Sequence, residues 1–218
     1  MYAIVEDNNI TQYINNPKSV VIGDVRYPAK IFELWSQSEK EAIGIYEIIV
    51  DKTNYKDPAY YNNTNEQYNF ANGQVTKSWG TATAKRLEDR NEVWSQEQID
   101  TDVAPDGTSV GDPQLDANGN QVITKGLKSQ KKEIIKQQAS GLLAPTDWYV
   151  VKATEVADYD IPANILSFRA DVRTKSNEME TVIDNCTTVD ELKALYEYTE
   201  QEDGTITRPL PEFPKEVI

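Results

Sequence analysis

The sequence predicts an α+β protein: a small N-terminal antiparallel β domain with one short helix, an acidic extended linker, and a C-terminal helical hairpin or bundle. Three observations predict it. Short β-prone runs alternate with turn residues in residues 1–94, Asp, Gly and Pro crowd residues 95–124, and apolar residues recur at helical spacing from Lys125 onward. We therefore divide the chain into residues 1–94, 95–124 and 125–198, followed by a tail, 199–218.

The β prediction rests on three turn signals and one apolar strand. Asp7-Asn8-Asn9, Gly23-Asp24 and Asn72-Gly73 each separate two β-prone runs. Asn, Asp and Gly tolerate the positive φ that tight hairpins require. The β-branched run at residues 45–50 is expected to be a central strand. The spacing of Ser38 and Glu41 fits a capping box and predicts the short helix over residues 39–43.

Two segments are expected to be extended arms. Residues 95–124 carry too few apolar side chains to offset the entropy of ordering them, apart from one small hairpin at Asn118-Gly119. The tail, residues 199–218, contains prolines and acidic residues and shows little periodicity. The sequence therefore predicts a sheet domain and a helical domain joined and followed by acidic arms.

The helical domain has recognisable starts and stops. An apolar stripe predicts a helix over residues 125–143, which Pro145 ends. Thr146 or Asp147 is expected to cap a short helix over residues 148–156. Pro162 is expected to begin a longer helix, and Thr188 with Glu191 a further one.

The first of these helices has a basic face. Its members are Lys128, Lys131, Lys132 and Lys136. Three interpretations remain open for them: binding of an acidic partner, a solvated face, and pairing with the protein's own carboxylates.

Composition excludes several kinds of function. The net charge of -14 repels nucleic-acid phosphates and anionic lipids, so we expect neither as a partner. The chain has no histidine and one cysteine, Cys186, which we interpret as a small packing residue. We expect no catalytic residue, no cofactor and no enzymatic activity, although abundant carboxylates leave a hydrolase as a distant third class.

The strongest metal-like pattern fails on inspection. Asp116, Asn118 and Asn120 have the spacing of a calcium loop, but Gln121 and Leu127 stand where the loop needs glycine and glutamate. We expect a simple turn there and no metal site. The N-terminus lacks the basic and apolar regions of a signal peptide, and no apolar run reaches membrane-span length, so we expect synthesis in a cytoplasm.

A tyrosine-rich loop is the first candidate binding site. Tyr55, Tyr60 and Tyr61 are expected to be exposed and to contact a protein partner, because aromatic rings offer a large contact area. A carbohydrate platform is the alternative. Tyr68 and Trp79 are expected to belong to a packed sheet face.

The second candidate is a structural clamp at residues 145–173. Trp148 is expected to be buried at a helix junction. Arg169 and Arg173 lie four residues apart on one helix face, and Asp147 and Glu155 are their expected partners.

These residues also carry a resemblance. Thr146-Asp147-Trp148, followed by Phe168-Arg169-Ala170-Asp171-Val172-Arg173, resembles the small tail assembly chaperone family of tailed bacteriophages. Members of that family have an acid-Trp helix start and then a helix with an aromatic-Arg-x-x-aliphatic-Arg run. The opening MYAIVEDNNITQY is similar to the N-terminal hairpin of many phage tail-fibre accessory and assembly proteins.

The resemblance implies a role in phage tail assembly. In one version the chain is a virion subunit of the tail, associated with a fibre or baseplate, that contacts other phage tail proteins within a homo- or hetero-oligomeric assembly. It is then made in the host cytoplasm and located in the virion. In the other version it is a fibre-assembly chaperone that is absent from the mature particle.

Overall fold

The computed structural model describes residues 1–215, and the chain divides into two compact units, Met1–Ala84 and Lys85–Ile218. The α+β prediction is confirmed, because the first unit is built around a sheet and the second contains the long helices. The boundary follows Ala84 and therefore lies before the predicted one at residue 94, and residues 95–124 belong to the second unit.

The first unit is organised by a five-stranded sheet in the order β2-β1-β5-β8-β7. The pairs are antiparallel except β5 with β8, which is parallel. Two short ladders, β3–β4 and β6–β9, accompany it. In chain order the elements are β1 (Tyr2–Glu6), β2 (Asn9–Ile14), β3 (Val20–Ile22), β4 (Val25–Tyr27), α1 (Ile31–Leu34), α2 (Gln37–Glu41), β5 (Ile45–Val50), β6 (Tyr61–Asn62), β7 (Gln67–Ala71), β8 (Gln74–Ser78) and β9 (Thr83–Ala84).

The three predicted hairpins and the central strand are confirmed. Asp7 and Asn8 connect β1 to β2 with φ of 49° and 62°, and Asn72 and Gly73 connect β7 to β8 with φ of 53° and 73°. Gly23, with φ of 57°, lies between β3 and β4. β5 lies in the middle of the sheet. Local turn chemistry was therefore sufficient to place these strands.

The short helix of this unit begins earlier than predicted. The capping box is formed by Ser36 and Glu39, so α2 begins at Gln37, and a further short helix, α1, precedes it. Both Ser36 and Ser38 have a glutamate three residues later, so the sequence pattern alone is ambiguous. Trp35 packs against the core cluster, which positions Ser36 at the start of the helix.

Apolar residues cover both faces of the sheet. Alternate residues of β1 point to opposite faces, as the period of a strand requires. One cluster consists of Ile4, Ile14, Val20, Ile31, Phe32 and Ile45. The other consists of Ala3, Val5, Ile48 and Val75, with Tyr46, Tyr68 and Phe70 packed against it.

The second unit is organised by two long helices. In chain order its elements are β10 (Arg90–Asn91), α3 (Gln96–Asp100), β11 (Ile123–Thr124), α4 (Leu127–Leu143), a 3-10 turn (Ala144–Thr146), α5 (Asp147–Glu155), α6 (Ala163–Asp184), α7 (Val189–Ala194), β12 (Thr199–Glu200) and β13 (Ile206–Thr207). α4 and α6 are antiparallel, because Lys132 near the start of α4 contacts Asp184 at the end of α6. The capping box of Thr188 and Glu191 is confirmed at α7.

The prediction that residues 95–124 form an extended arm is wrong. The small hairpin predicted at Asn118-Gly119 is confirmed by a bridge from Leu115 to Gln121, but β10 also pairs with β11 and a further bridge joins Val93 to Pro113. The side-chain amide of Gln121 donates to the carbonyls of Glu92 and Gln114. Hydrogen bonds rather than apolar burial therefore order this segment, and composition alone could not reveal them.

The tail is likewise not extended over the residues that the structure describes. β12 and β13 form a hairpin, and Leu210 is buried while its N–H donates to the carbonyl of Leu195. Phe213 packs against Ala139, Phe168 and Val172. Residues 216–218 of the predicted arm lie outside the described residues. No helix within residues 1–215 is long and apolar enough to cross a membrane.

Candidate interaction surface

The tyrosine loop is less exposed than expected. Tyr60 and Tyr61 are each 5% exposed, so the prediction of an exposed run is wrong for both. The backbone of Lys56 exchanges two hydrogen bonds with the side chain of Asn63, and the carbonyl of Asp57 accepts from the N–H groups of both tyrosines. These bonds fold the loop back and turn the two rings inward.

Tyr55 remains at the surface in an aromatic cluster. It is 37% exposed, and its ring centroid lies 4.7 Å from that of Trp79. Lys77 lies over the rings of Trp79 and Tyr68 and pairs with Glu66 at 2.9 Å. The hydrogen bond from Lys77 is the main cause that lowers the pKa of Glu66. Because Lys77, Glu66 and the aromatic rings already contact one another, we interpret this cluster as a packed surface rather than as a free binding site.

The clamp predicted in residues 145–173 forms around Arg169. Its Nη2 lies 2.8 Å from Oδ1 of Asp147, and its Nη1 donates to Oγ1 of Thr146 at 2.6 Å and to the carbonyl of Leu143 at 3.0 Å. Arg169 is 7% exposed. A single guanidinium therefore joins α6 to the end of α4 and the start of α5.

The prediction that Arg173 shares the clamp with Arg169 is wrong. Arg173 is exposed, its Nη1 donates to the carbonyl of Arg169, and it forms no ion pair with Glu155 within residues 1–215. One helical turn, about 5.4 Å, carries Arg173 away from the junction that Arg169 reaches. The prediction that the side chain of Thr146 or Asp147 caps α5 is also wrong. The Thr146 hydroxyl donates to the carbonyl of Leu143 and accepts from Arg169, and Asp147 is already the first residue of the helix.

Trp148 is also placed differently from the prediction. It is 52% exposed rather than buried, and its ring centroid lies 3.9 Å from that of Tyr149. The 3-10 turn Ala144–Thr146, which contains Pro145, directs Asp147 towards Arg169 and leaves Trp148 beside a cleft of about 270 Å³. The cleft is lined by Pro145, Thr146, Trp148, Tyr149, Pro162, Asn164 and Ile165.

α5 has an apolar composition and no buried side chain. We use the term α5 surface for its exposed apolar residues and the one that follows the helix. They are Trp148, Val150, Val151 and Val156. Single exposed apolar residues are ordinary, but Trp148 and Val151 lie three residues apart on one side of the helix, and neighbouring exposed apolar side chains are typical of a contact surface.

Three of the four lysines on the basic face of α4 pair with carboxylates of the same chain. Lys128 pairs with Glu88, Lys132 with Asp184 and Lys136 with Glu180. Asp184 is also the main cause that raises the pKa of Lys132. Of the three interpretations of these lysines, pairing with the protein's own carboxylates is the one that the structure supports.

The start of α4 contains a junction that the sequence did not reveal. The backbone N–H of Gly126 donates to Oδ1 of Asp89 at 2.8 Å, and the Ser129 hydroxyl donates to Oδ2 at 2.9 Å. The hydrogen bond from Gly126 is the main cause that lowers the pKa of Asp89. The N–H groups of Leu127 and Lys128 donate to backbone carbonyls of residues 86 and 87. A distant segment thus satisfies the free N–H groups of the helix.

The remaining chemical groups have structural roles. The Asp116 carboxylate accepts from the N–H groups of Asn118 and Asn120, so it closes a turn, as predicted. Cys186 is buried, and burial raises the pKa of its thiol. Within residues 1–215, no group of three or more His, Cys, Asp or Glu side chains could hold a metal ion.

Comparison with known proteins adds no relative. No protein-family model, no curated protein and no solved structure matches this chain.

Proposed function

We propose that this chain is a non-enzymatic structural subunit of a bacteriophage virion, located in the tail region at a fibre or baseplate. It is made in the host cytoplasm and acts through contacts with other phage tail proteins in an oligomeric assembly. The observation that carries this proposal is α5, an apolar helix that is anchored at its first turn and buries none of its side chains.

The anchoring matters because an isolated helix this short is marginal in water. The ion pair of Arg169 with Asp147 holds its first turn, and the N–H of Val156 donates to the carbonyl of Lys152 at its last turn. The ion pair therefore attaches the first turn of the helix to α6, and the second bond closes the helix on itself. Pre-organisation of this kind lowers the entropy cost of binding a partner.

The composition of the α5 surface suits a protein contact. Tryptophan is among the residues that most often dominate the energy of protein interfaces. Covering apolar surface contributes about 25 cal/mol per Å². Trp148 and Val151 are both exposed by about half, so a partner has apolar area to cover.

The residues behind the phage resemblance support the tail assignment, because they are adjacent in space. Asp147, from the acid-Trp motif, pairs with Arg169, from the aromatic-Arg run. Phe168 and Val172 of the same run pack into the core between α4 and α6. The ion pair of Asp147 with Arg169 therefore links the acid-Trp motif to the aromatic-Arg run.

The alternative function is that of a tail-fibre assembly chaperone. The family that the motifs resemble is one of chaperones, and an exposed apolar helix also suits a transient contact with a folding fibre. The two functions differ in whether the chain stays in the particle.

Quantitative mass spectrometry of purified particles and of infected cells tests the proposal. We expect the chain in the particle, at a constant ratio to a known tail protein through density-gradient purification. Absence from particles, with co-purification of an unassembled fibre from lysates, would establish the chaperone instead. Absence from both would reject tail assembly altogether.

A further inference from the structure

The α5 surface has a charge pattern as well as an apolar one. Asp147, Val151 and Glu155 follow one another at four-residue spacing, so they form a row along one side of the helix. All three are exposed, and Trp148 lies beside Val151 on the same side. The apolar centre of the surface is therefore bracketed by carboxylates.

The carboxylates at one end of this surface are not neutralised. Glu155 is followed by Asp158 and Asp160 in the loop that leads to α6, and all three are exposed. Within residues 1–215, none of the three forms an ion pair. The nearby Lys152 instead directs its ammonium to the rings of Trp148 and Tyr159, at 5.6 and 4.2 Å.

This pattern differs from that of α4, where lysines and carboxylates of the same chain pair with each other. Like charges that gather around an apolar patch without internal partners attract a partner of opposite charge. They also repel other acidic chains, including further copies of this protein, whose net charge is -14.

The cleft beside Trp148 indicates what the apolar part of a partner looks like. Its volume of about 270 Å³ lies below the roughly 300–1,000 Å³ of small-molecule pockets. Prolines and aromatic rings form much of its wall. Such a cleft suits one aliphatic or aromatic side chain of a protein partner.

We propose that the α5 surface binds a protein segment that presents an aliphatic or aromatic anchor flanked by lysine or arginine. The anchor enters the cleft beside Trp148, and the basic residues contact Glu155, Asp158 and Asp160. The proposal rests on the proposed function and names the kind of partner that the same surface selects.

Two synthetic helical peptides test this selectivity against the full chain. Both contain the same Leu-Trp anchor, but one has lysine flanks and the other glutamate flanks, and fluorescence anisotropy measures binding. We expect saturable binding of the lysine-flanked peptide only, which weakens as salt shortens the range of the charges. Trp148→Ala should weaken binding about tenfold or more.

Charge reversal gives the sharper result. Glu155→Lys should weaken binding of the lysine-flanked peptide several-fold and allow the glutamate-flanked peptide to bind. The matched control is Glu202→Lys, which makes the same change in net charge in the exposed turn between β12 and β13. It should leave both affinities unchanged, and thermal unfolding should show that all variants are folded.

Two outcomes overturn the proposal. If Glu202→Lys and Glu155→Lys weaken binding of the lysine-flanked peptide equally, net charge alone attracts that peptide. If both peptides bind the unsubstituted chain equally, the carboxylates do not select between them. Either failure leaves the particle measurement intact. Conversely, absence from particles leaves the peptide selectivity intact, so the two proposals fail separately.

Discussion

α4 and α5 are separated only by the 3-10 turn Ala144–Thr146, yet the two helices differ in the burial and the charge pairing of their side chains. α4 buries Leu127, Ile135 and Ala139, and three of its lysines pair with carboxylates of the same chain. α5 buries nothing and leaves Glu155 unpaired within residues 1–215. α4 therefore contributes side chains to the core of its unit, whereas α5 is attached to that unit and leaves its side chains unburied.

The starts of the two helices differ in the same way. At α4, Asp89 and the backbone of residues 86 and 87 accept hydrogen bonds from the first N–H groups. At α5, Thr146 offers no side-chain cap, and the Arg169 pair with Asp147 provides the anchor. We therefore expect substitutions at the start of α4 to lower the stability of the second unit, and substitutions on α5 to weaken the binding of a partner.

The largest expected effect is at Gly126. A Cβ there would collide with the backbone of Leu87 and Glu88, which cannot move aside as a flexible side chain would. We expect Gly126→Ala to lower the free energy of unfolding by about 3 kcal/mol, as measured by urea denaturation.

Gly141 provides the matched control within the same helix. A Cβ at this exposed position meets nothing within 4 Å. Gly141→Ala should therefore stabilise the protein by about 1 kcal/mol, because alanine favours helix. Similar destabilisation by both substitutions would show that the junction at Gly126 is not what holds α4.

The next effect is at Arg169, which tests the link between the two helices. Arg169→Ala removes the bonds to Asp147, Thr146 and Leu143, and should cost about 2 kcal/mol. The exposed Arg173→Ala should change the free energy of unfolding by less than about 0.5 kcal/mol. An unchanged unfolding midpoint for Arg169→Ala would reject the clamp.

A smaller, pH-dependent effect is expected at Asp89. Its folded-state pKa is lowered, so its stabilisation is present above the ordinary pKa of about 3.9 and is lost as the pH falls through the folded-state value. Asp89→Asn should cost about 1 kcal/mol or less at neutral pH, since the group is exposed. The difference from the unsubstituted protein should shrink in acid, and a constant difference from pH 7 to pH 2 would contradict this role.

The smallest effect on stability is expected at Trp148, where the effect on binding should be largest. Trp148→Ala removes a half-exposed ring and should change the free energy of unfolding by about 0.5 kcal/mol or less. Loss of about 2 kcal/mol or more in thermal denaturation would mean that Trp148 supports the fold, and the distinction between the two helices would fail.

Some of this organisation could be predicted from short stretches of sequence. The turns at Asp7-Asn8 and Asn72-Gly73 require positive φ, and the Thr188–Glu191 capping box depends on four consecutive residues. Such signals depend only on residues that are adjacent along the chain, so contacts with distant residues do not change them. They fail where two patterns overlap, as with Ser36 and Ser38 at α2.

The candidate surfaces could be predicted only in part. The pairing of Asp147 with Arg169 was expected from residue chemistry, but the exposure of Trp148 and the burial of Tyr60 and Tyr61 were not. Exposure depends on which elements cover a side chain, and those elements come from elsewhere in the chain. The Asp89 junction at α4 joins residues 37 positions apart and left no local signal.

The sequence by itself determined the hairpins, the central strand, the long helices and an acidic, histidine-free composition. Backbone preference and charge are properties of a residue and its neighbours along the chain, so they do not depend on the fold. Only the tertiary structure decided that residues 95–124 are ordered, that three lysines of α4 pair with carboxylates, and that α5 leaves its side chains unburied. Those outcomes depend on hydrogen bonds, ion pairs and packing between residues distant along the chain, whose partners exist only once the chain has folded.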